Sequence, residues 1–250
     1  MMCFFFDSHV FSTLRAYRTD VKRESLTASQ PGVICKVDFR VLCETFRQCT
    51  LGVSPFASVA ILTDSQFAIN DKVIFKDMRV LRNLLDLEPK YIPPCNYFGT
   101  VQKDIQPFMR KVVATWMSEV CEEQRCEDQV FPLAVNFLDR FLCRCSISRR
   151  QLQLTAAVSL LLASKIRQCH ALYVDLLCFY TDHSITPDEM RSWELLFLSR
   201  LKWNIAAVTG FDYVDHVLQR VAWGENNPVV RRHAHTLVSV CYTEPVSHYE

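Results

Sequence analysis

Glycine is scarce in this 250-residue chain: there are five, at 32, 52, 99, 210 and 224. No two lie close enough to form a loop that cradles phosphate. The nucleophile elbow G-x-S-x-G, the zinc-protease signature H-E-x-x-H and the kinase signature set are all missing, so intrinsic enzymatic activity and a bound cofactor are not expected. Charge of one sign is not in excess either. Twenty-eight basic residues face 27 acidic ones, which leaves no global field to attract nucleic acid or an anionic membrane. The longest apolar run, "LTAAVSLLLAS" (154–164), falls well short of the roughly 20 residues a membrane helix needs. The opening "MMCFFFDSHV" lacks a basic start, and Asp7 ends its apolar stretch. These absences imply a soluble intracellular protein.

Cysteine, by contrast, is abundant, with 12 residues; in the intracellular setting they are expected to be reduced. Cys143 and Cys145 form a C-x-C, with Cys121, Cys126, His170 and His183 as the other conceivable metal ligands. Zinc sites use C-x(2–4)-C pairs in polar or Gly-rich loops, whereas most cysteines here sit inside apolar helical patterns and read as small buried hydrophobes. No metal site is expected.

Residues 1–70 are aperiodic and give no functional reading. Beyond them the pattern is helical and the expected class is all-α. "DKVIFKDMRVLRNLLDLE" reads as one amphipathic helix ended by Pro89, and "YIPPCNYF" as an extended linker. Further helices are expected from Pro107 to about 125, over 128–143, over 149–167 with Ser148 as cap, and over about 173–181. The next opens at the "TPDE" capping box and ends near Leu201. Thr209 and Asp212 repeat that signature, and Asn227-Pro228 opens a last helix ending before Pro245. The 149–167 segment is apolar all round, which predicts the hub of a helical bundle. The domain division is 1–70, 71–106, 107–208 and 209–250.

Three features ask for partners. On the helix containing "MRKVVATWM" (109–117), Trp116, Met109, Val120, Val113 and Met117 share one side, extended by Val112 in one direction and by Cys121 and Ala114 in the other. The arc spans roughly 200°, where a surface helix needs little over 100°. Glu194 is ringed by Met190, Phe197, Leu198 and Leu201, and Lys165 follows Val158, Leu161 and Leu162. A charge in such a setting costs several kcal/mol unless it is partnered. The two residues either bridge each other or stand on an apolar docking surface. Arg110 also falls within its helix's apolar arc; Asp139 is its expected partner in a structural ion pair that fixes helix register.

"YFGTVQKDIQPFMRKVVATWMSEVCEEQRCEDQVFPLAVNFLDRFL", "LQLTAAVSLLLASK", "YTDHSITPDEM" and "LKWNIAAVTGFDY" together resemble the cyclin box of D-type cyclins, from about residue 76 to 244. The resemblance implies a five-helix cyclin box around a buried central helix, preceded by an N-terminal helix and followed by an incomplete second box. It also implies a non-enzymatic regulatory subunit of a cyclin-dependent kinase at the G1/S transition, in nucleus and cytoplasm. By the same resemblance, Lys165 and Glu194, with Leu162, Ile166, Leu198, Trp203 and Ile205, match the kinase-binding residues. Met109, Val112 and Trp116, with Glu119, Leu152 and Gln153, match the groove that takes Arg-x-Leu peptides of substrates and inhibitors. Val113, Met117 and Val120 are assigned to the core.

Three departures stand out. The pocket-protein motif L-x-C-x-E is represented only by "VLCET" (41–45), whose letters are adjacent, so an extended peptide cannot show them on one face; this weakens the case for pocket-protein docking. The loop "IRQCHALYVD" is short and lacks an acidic residue just past Lys165, which bears on kinase preference. After Thr209 about 40 residues remain, two helices of a second box that needs five. Phe211, Val214, Val217, Leu218, Leu237, Val238 and Val240 are then expected to expose apolar surface. A truncated, non-activating adaptor or dominant-negative form is the alternative reading.

Overall fold

The computed structural model describes residues 72–221 and 227–244; the stretch 1–70, including "VLCET", lies outside the described residues. Among the described residues there are helices and no extended strands, apart from one isolated bridge, Phe98 to Gln102. The helices are α1 (Lys72–Lys76), α2 (Met78–Leu87), α3 (Pro107–Glu123), α4 (Val130–Leu142) and α5 (Arg149–Arg167). They are followed by α6 (Val174–Tyr180), α7 (Pro187–Arg200), α8 (Gly210–Leu218) and α9 (Pro228–Thr243).

The single helix expected over 71–88 is two among its described residues. Asp77 is extended between α1 and α2, and its carboxylate accepts from the Arg79 N–H at 2.8 Å. An aspartate that bonds a backbone donor two residues on competes with continuous helix and opens a new one. The other starts follow local signals. Ser148 and Gln151 make a reciprocal capping box on α5, as do Thr209 and Asp212 on α8. Thr186 accepts from Glu189 N at the start of α7, and Asn227 caps α9 through Val229 N and Val230 N.

The scarcity of glycine shows at the helix ends. α3, α6 and α7 each close with a pair of reversed bonds: Cys126 N to Cys121 O and Arg125 N to Glu122 O; His183 N to Cys178 O and Asp182 N to Phe179 O; Trp203 N to Leu198 O and Lys202 N to Ser199 O. This is the Schellman closure, which needs a left-handed residue and favours glycine. Here Arg125, Asp182 and Lys202 take that conformation, at φ 49°, 53° and 54°. The same closure sets the residue after the left-handed one against the third-last helical residue, pairing Cys126 with Cys121 and Trp203 with Leu198.

The core sits between α4 and α5, with α3, α6 and α7 packed around α5. α5 is buried from Leu154 to Ser164, as a hub should be, but α4 is more enclosed still: all its residues are buried. Its polar members conceal this in the sequence because each has a distant partner. Asn136 donates to Tyr91 O at 2.7 Å, and Arg140 donates to Asn204 O at 2.8 Å while lying over the Tyr91 ring. The linker before α3 is likewise stitched in place. The Gln102 amide donates to Leu142 O and Cys145 O at 2.6 Å each and accepts from Ile147 N.

The expected exposure of the last two helices is not what the structure has. Phe211, Val214 and Leu218 of α8 and Val230, Ala234 and Val238 of α9 form a second buried cluster; Val217 and Leu237 are half-buried, and Val240 stays exposed. α8 also packs on α1 and α2, with the Phe75 ring 4.9 Å from that of His216, and α9 packs on α3 and α4. The apolar faces are covered by elements distant in sequence.

Candidate docking surfaces

α3 divides its wide apolar arc between the interior and the surface. Ala114, Met117, Val120 and Cys121 are buried. Met109 and Trp116 are half-buried against the core, Val112 is 63% exposed, and Glu119 is exposed. Val113, assigned above to the core, is only half-buried and so belongs to both faces. α5 packs against α3 and contributes Leu152, buried, and Gln153, half-buried, from its first turns. Phe108, exposed beside Met109, extends the apolar surface and was not singled out from sequence; its place next to the helix-opening Pro107 was the available signal.

At the other end of α5, Lys165 Nζ bonds Glu194 Oε1 of α7 at 2.5 Å. The side chains are 44% and 19% exposed, so the bridge lies at the surface, not in the interior. Exposed pairs of this kind contribute only about 0.2–1 kcal/mol to stability. Leu162 and Leu198 are buried beneath, Ile205 is half-buried, and Ile166 and Trp203 (64% exposed) project outward. Leu195 and Leu196, unremarkable within "WELLFL", are exposed on the same helix as Glu194. A charge pair among exposed apolar side chains can grip a partner's backbone while those side chains exclude water.

Arg110 is buried and bonds Asp139 in a fork, Nε to Oδ1 at 3.2 Å and Nη2 to Oδ2 at 2.8 Å. Its remaining nitrogen, Nη1, donates to the carbonyls of Tyr242, Thr243 and Glu244 at 2.7–3.0 Å, closing the end of α9. Tyr97 donates to Asp139 Oδ1 at 2.7 Å. Burial first, and then the Asp139 charge, push the Tyr97 phenol up, so it remains the donor. The sequence pointed to the Arg110–Asp139 pair but gave no sign of Tyr97 or of the α9 carbonyls.

No three His, Cys, Asp or Glu side chains gather as metal ligands among the described residues. No helix among them is long and apolar enough to cross a membrane.

Residues 79–206 match the family "Cyclin, N-terminal domain". G1/S-specific cyclin-D2 of Gallus gallus is 51% identical over 178 residues, 71% of this chain and 61% of that protein. G1/S-specific cyclin-D3 of Homo sapiens is 47% identical over 175 residues, 70% of this chain and 60% of that one. The chain thus matches about three fifths of the length of these relatives. Among solved structures, a viral cyclin from herpesvirus saimiri superposes with a TM-score of 0.59 at 28% identity, covering 67% of this chain and 73% of its own. With this helical fold and these matches, the chain belongs to the cyclin family, in its D-type branch.

Proposed function

We propose that the chain is a non-enzymatic regulatory subunit that binds and activates a cyclin-dependent kinase of the class served by D-type cyclins, at the G1/S transition, in nucleus and cytoplasm. The observation that carries this reading is the Lys165–Glu194 pair at the surface among Ile166, Leu195 and Trp203. An active kinase needs its αC glutamate paired with the catalytic lysine, and the position of αC controls that pairing. A subunit that binds only the αC-in arrangement shifts the population toward it by its differential affinity. The chain itself supplies no chemistry.

The second surface serves substrate and inhibitor docking. Met109, Val112 and Trp116, backed by the buried Leu152, offer apolar contact to the leucine of an Arg-x-Leu peptide, Glu119 offers its carboxylate to the arginine, and Gln153 adds hydrogen bonds. The test is retention of D-type-partner kinases by the 250-residue chain and by Lys165→Ala/Glu194→Ala, followed by assay of the retained kinase on a pocket-protein substrate. Retention with phosphorylation, both lost in the double variant, is expected. Retention without phosphorylation would convert the reading to that of a non-activating adaptor. No retention by a folded chain would refute it.

A further inference from the structure

Two cysteines that the docking surfaces do not use meet at the end of α3. Cys126 N donates to Cys121 O at 2.9 Å across the Schellman turn whose left-handed residue is Arg125. That turn sets the two residues against each other, close enough that each thiol shifts the other, Cys121 upward and Cys126 downward. Cys121 is buried and Cys126 half-exposed, so a small oxidant from solvent reaches Cys126 before Cys121. This is the arrangement of an oxidisable thiol with a resolving partner. We propose that Cys121 and Cys126 form a peroxide-sensitive modification site that closes to an intrachain disulfide.

The electronic environment favours the same order of events. The neighbouring Cys121 thiol, and after it the Gln168 side chain, holds the Cys126 thiol below its ordinary value, against the effect of burial. Cys143 provides the contrast. Cys143 Sγ is bonded to Cys95 O at 3.3 Å, and burial pushes its thiol up to about 12, leaving it protonated and inert. At Cys126 the thiolate attacks one oxygen of hydrogen peroxide; the S–O bond forms, the O–O bond breaks, and hydroxide leaves and is protonated to water. The Cys121 thiol then loses its proton and attacks the Cys126 sulfenyl sulfur. The S–S bond forms, the S–O bond breaks and a second water departs. Two electrons pass from the thiol pair to one peroxide.

The sequence supplies a direct readout, because trypsin cuts after Arg125, between the two cysteines. Residues 112–125 and 126–140 are then peptides with one cysteine each. The reduced 250-residue chain is titrated with hydrogen peroxide, its remaining thiols are alkylated, and the non-reduced digest is examined by mass spectrometry. The expected product is the 112–125/126–140 pair joined by a disulfide. It is abolished in Cys126→Ala, and in Cys121→Ala it is replaced by a sulfenic acid at Cys126 that dimedone traps. Without peroxide, Cys126 is expected to alkylate at least about tenfold faster than Cys143. Recovery of both peptides singly alkylated, at a dose that oxidises the exposed Cys169, would overturn the proposal. So would linkage of either peptide to a different cysteine.

Discussion

Replacing Arg110 with methionine tests what holds α3, α4 and α9 together. The guanidinium is 1% exposed, and its removal leaves the Asp139 carboxylate buried with the Tyr97 hydroxyl still donating to it, while the carbonyls of Tyr242, Thr243 and Glu244 lose Nη1. Breaking one side of a buried ion pair costs about 3–5 kcal/mol. For a chain of this size about 1 kcal/mol moves the melting temperature by roughly 2–4 °C, so a fall of ~6–20 °C is expected. Lys111 is the internal control. It lies next on the same helix and also reaches the end of α9, through Glu244 Oε1 at 2.5 Å, but both side chains are about half-exposed. Lys111→Ala should therefore cost no more than about 1 kcal/mol. Arg110→Met with Asp139→Leu removes both charges and should recover part of the single-variant loss. Urea titrations of wild type, Arg110→Met, Asp139→Leu and the double variant give the coupling energy directly. An Arg110→Met loss below ~1 kcal/mol, or one equal to that of Lys111→Ala, would refute the reasoning that burial sets the value of this contact.

Val112→Asp should weaken binding of an Arg-x-Leu peptide at least about tenfold by calorimetry while moving the melting temperature little, since Val112 is largely exposed and surface substitutions usually stay within ~0.5 kcal/mol. Arg125→Gly should stabilise by about 0.5–1 kcal/mol, because it relieves a left-handed non-glycine residue worth ~1–2 kcal/mol of strain and gives back part of that as unfolded-chain entropy; denaturant midpoints decide the sign. Asp128 bonds His235 Nδ1 at 2.7 Å, and that bond holds its carboxyl below the usual range. A lowered carboxylate adds stability above its unfolded value, near pH 4, and loses it as pH falls through the lower folded value. The advantage of wild type over Asp128→Asn, about 0.2–1 kcal/mol for a pair whose carboxylate is largely exposed, should hold at neutral pH and vanish below about pH 4 in melting curves taken across that range.

Signals that act within one turn of chain were legible. Ser148, Thr186, Thr209 and Asn227 marked where helices open, and the uniform apolarity of 149–167 marked α5 as interior. Asp77 escaped because an aspartate within an amphipathic run can either face solvent or cap, and only the folded backbone shows which. The full burial of α4 was hidden by Asn136, Asp139 and Arg140, whose partners come from the linker, α3 and the segment after α7. The apolar faces of α8 and α9 looked unpartnered because α1 and α2, which cover part of them, lie more than a hundred residues away. On the docking surfaces, periodicity named the residues that share a face, and Met117 is interior as expected, but it did not show that Val113 lies between surface and interior. Exposed aromatics such as Phe108 broke no pattern and were passed over.

Leu152 and Lys165 stand at opposite ends of α5, 13 positions apart, and the helix rises about 1.5 Å per residue. The two proposed docking surfaces are therefore held roughly 20 Å apart by a rod that is packed along most of its length and cannot shorten. A single polypeptide engaging both must bridge that gap with at least about six extended residues. With a linker near that span, the second contact becomes intramolecular, and its effective concentration reaches the millimolar range. Two individually weak grips then combine into avidity, and the fixed length of one buried helix decides which ligands are long enough to benefit.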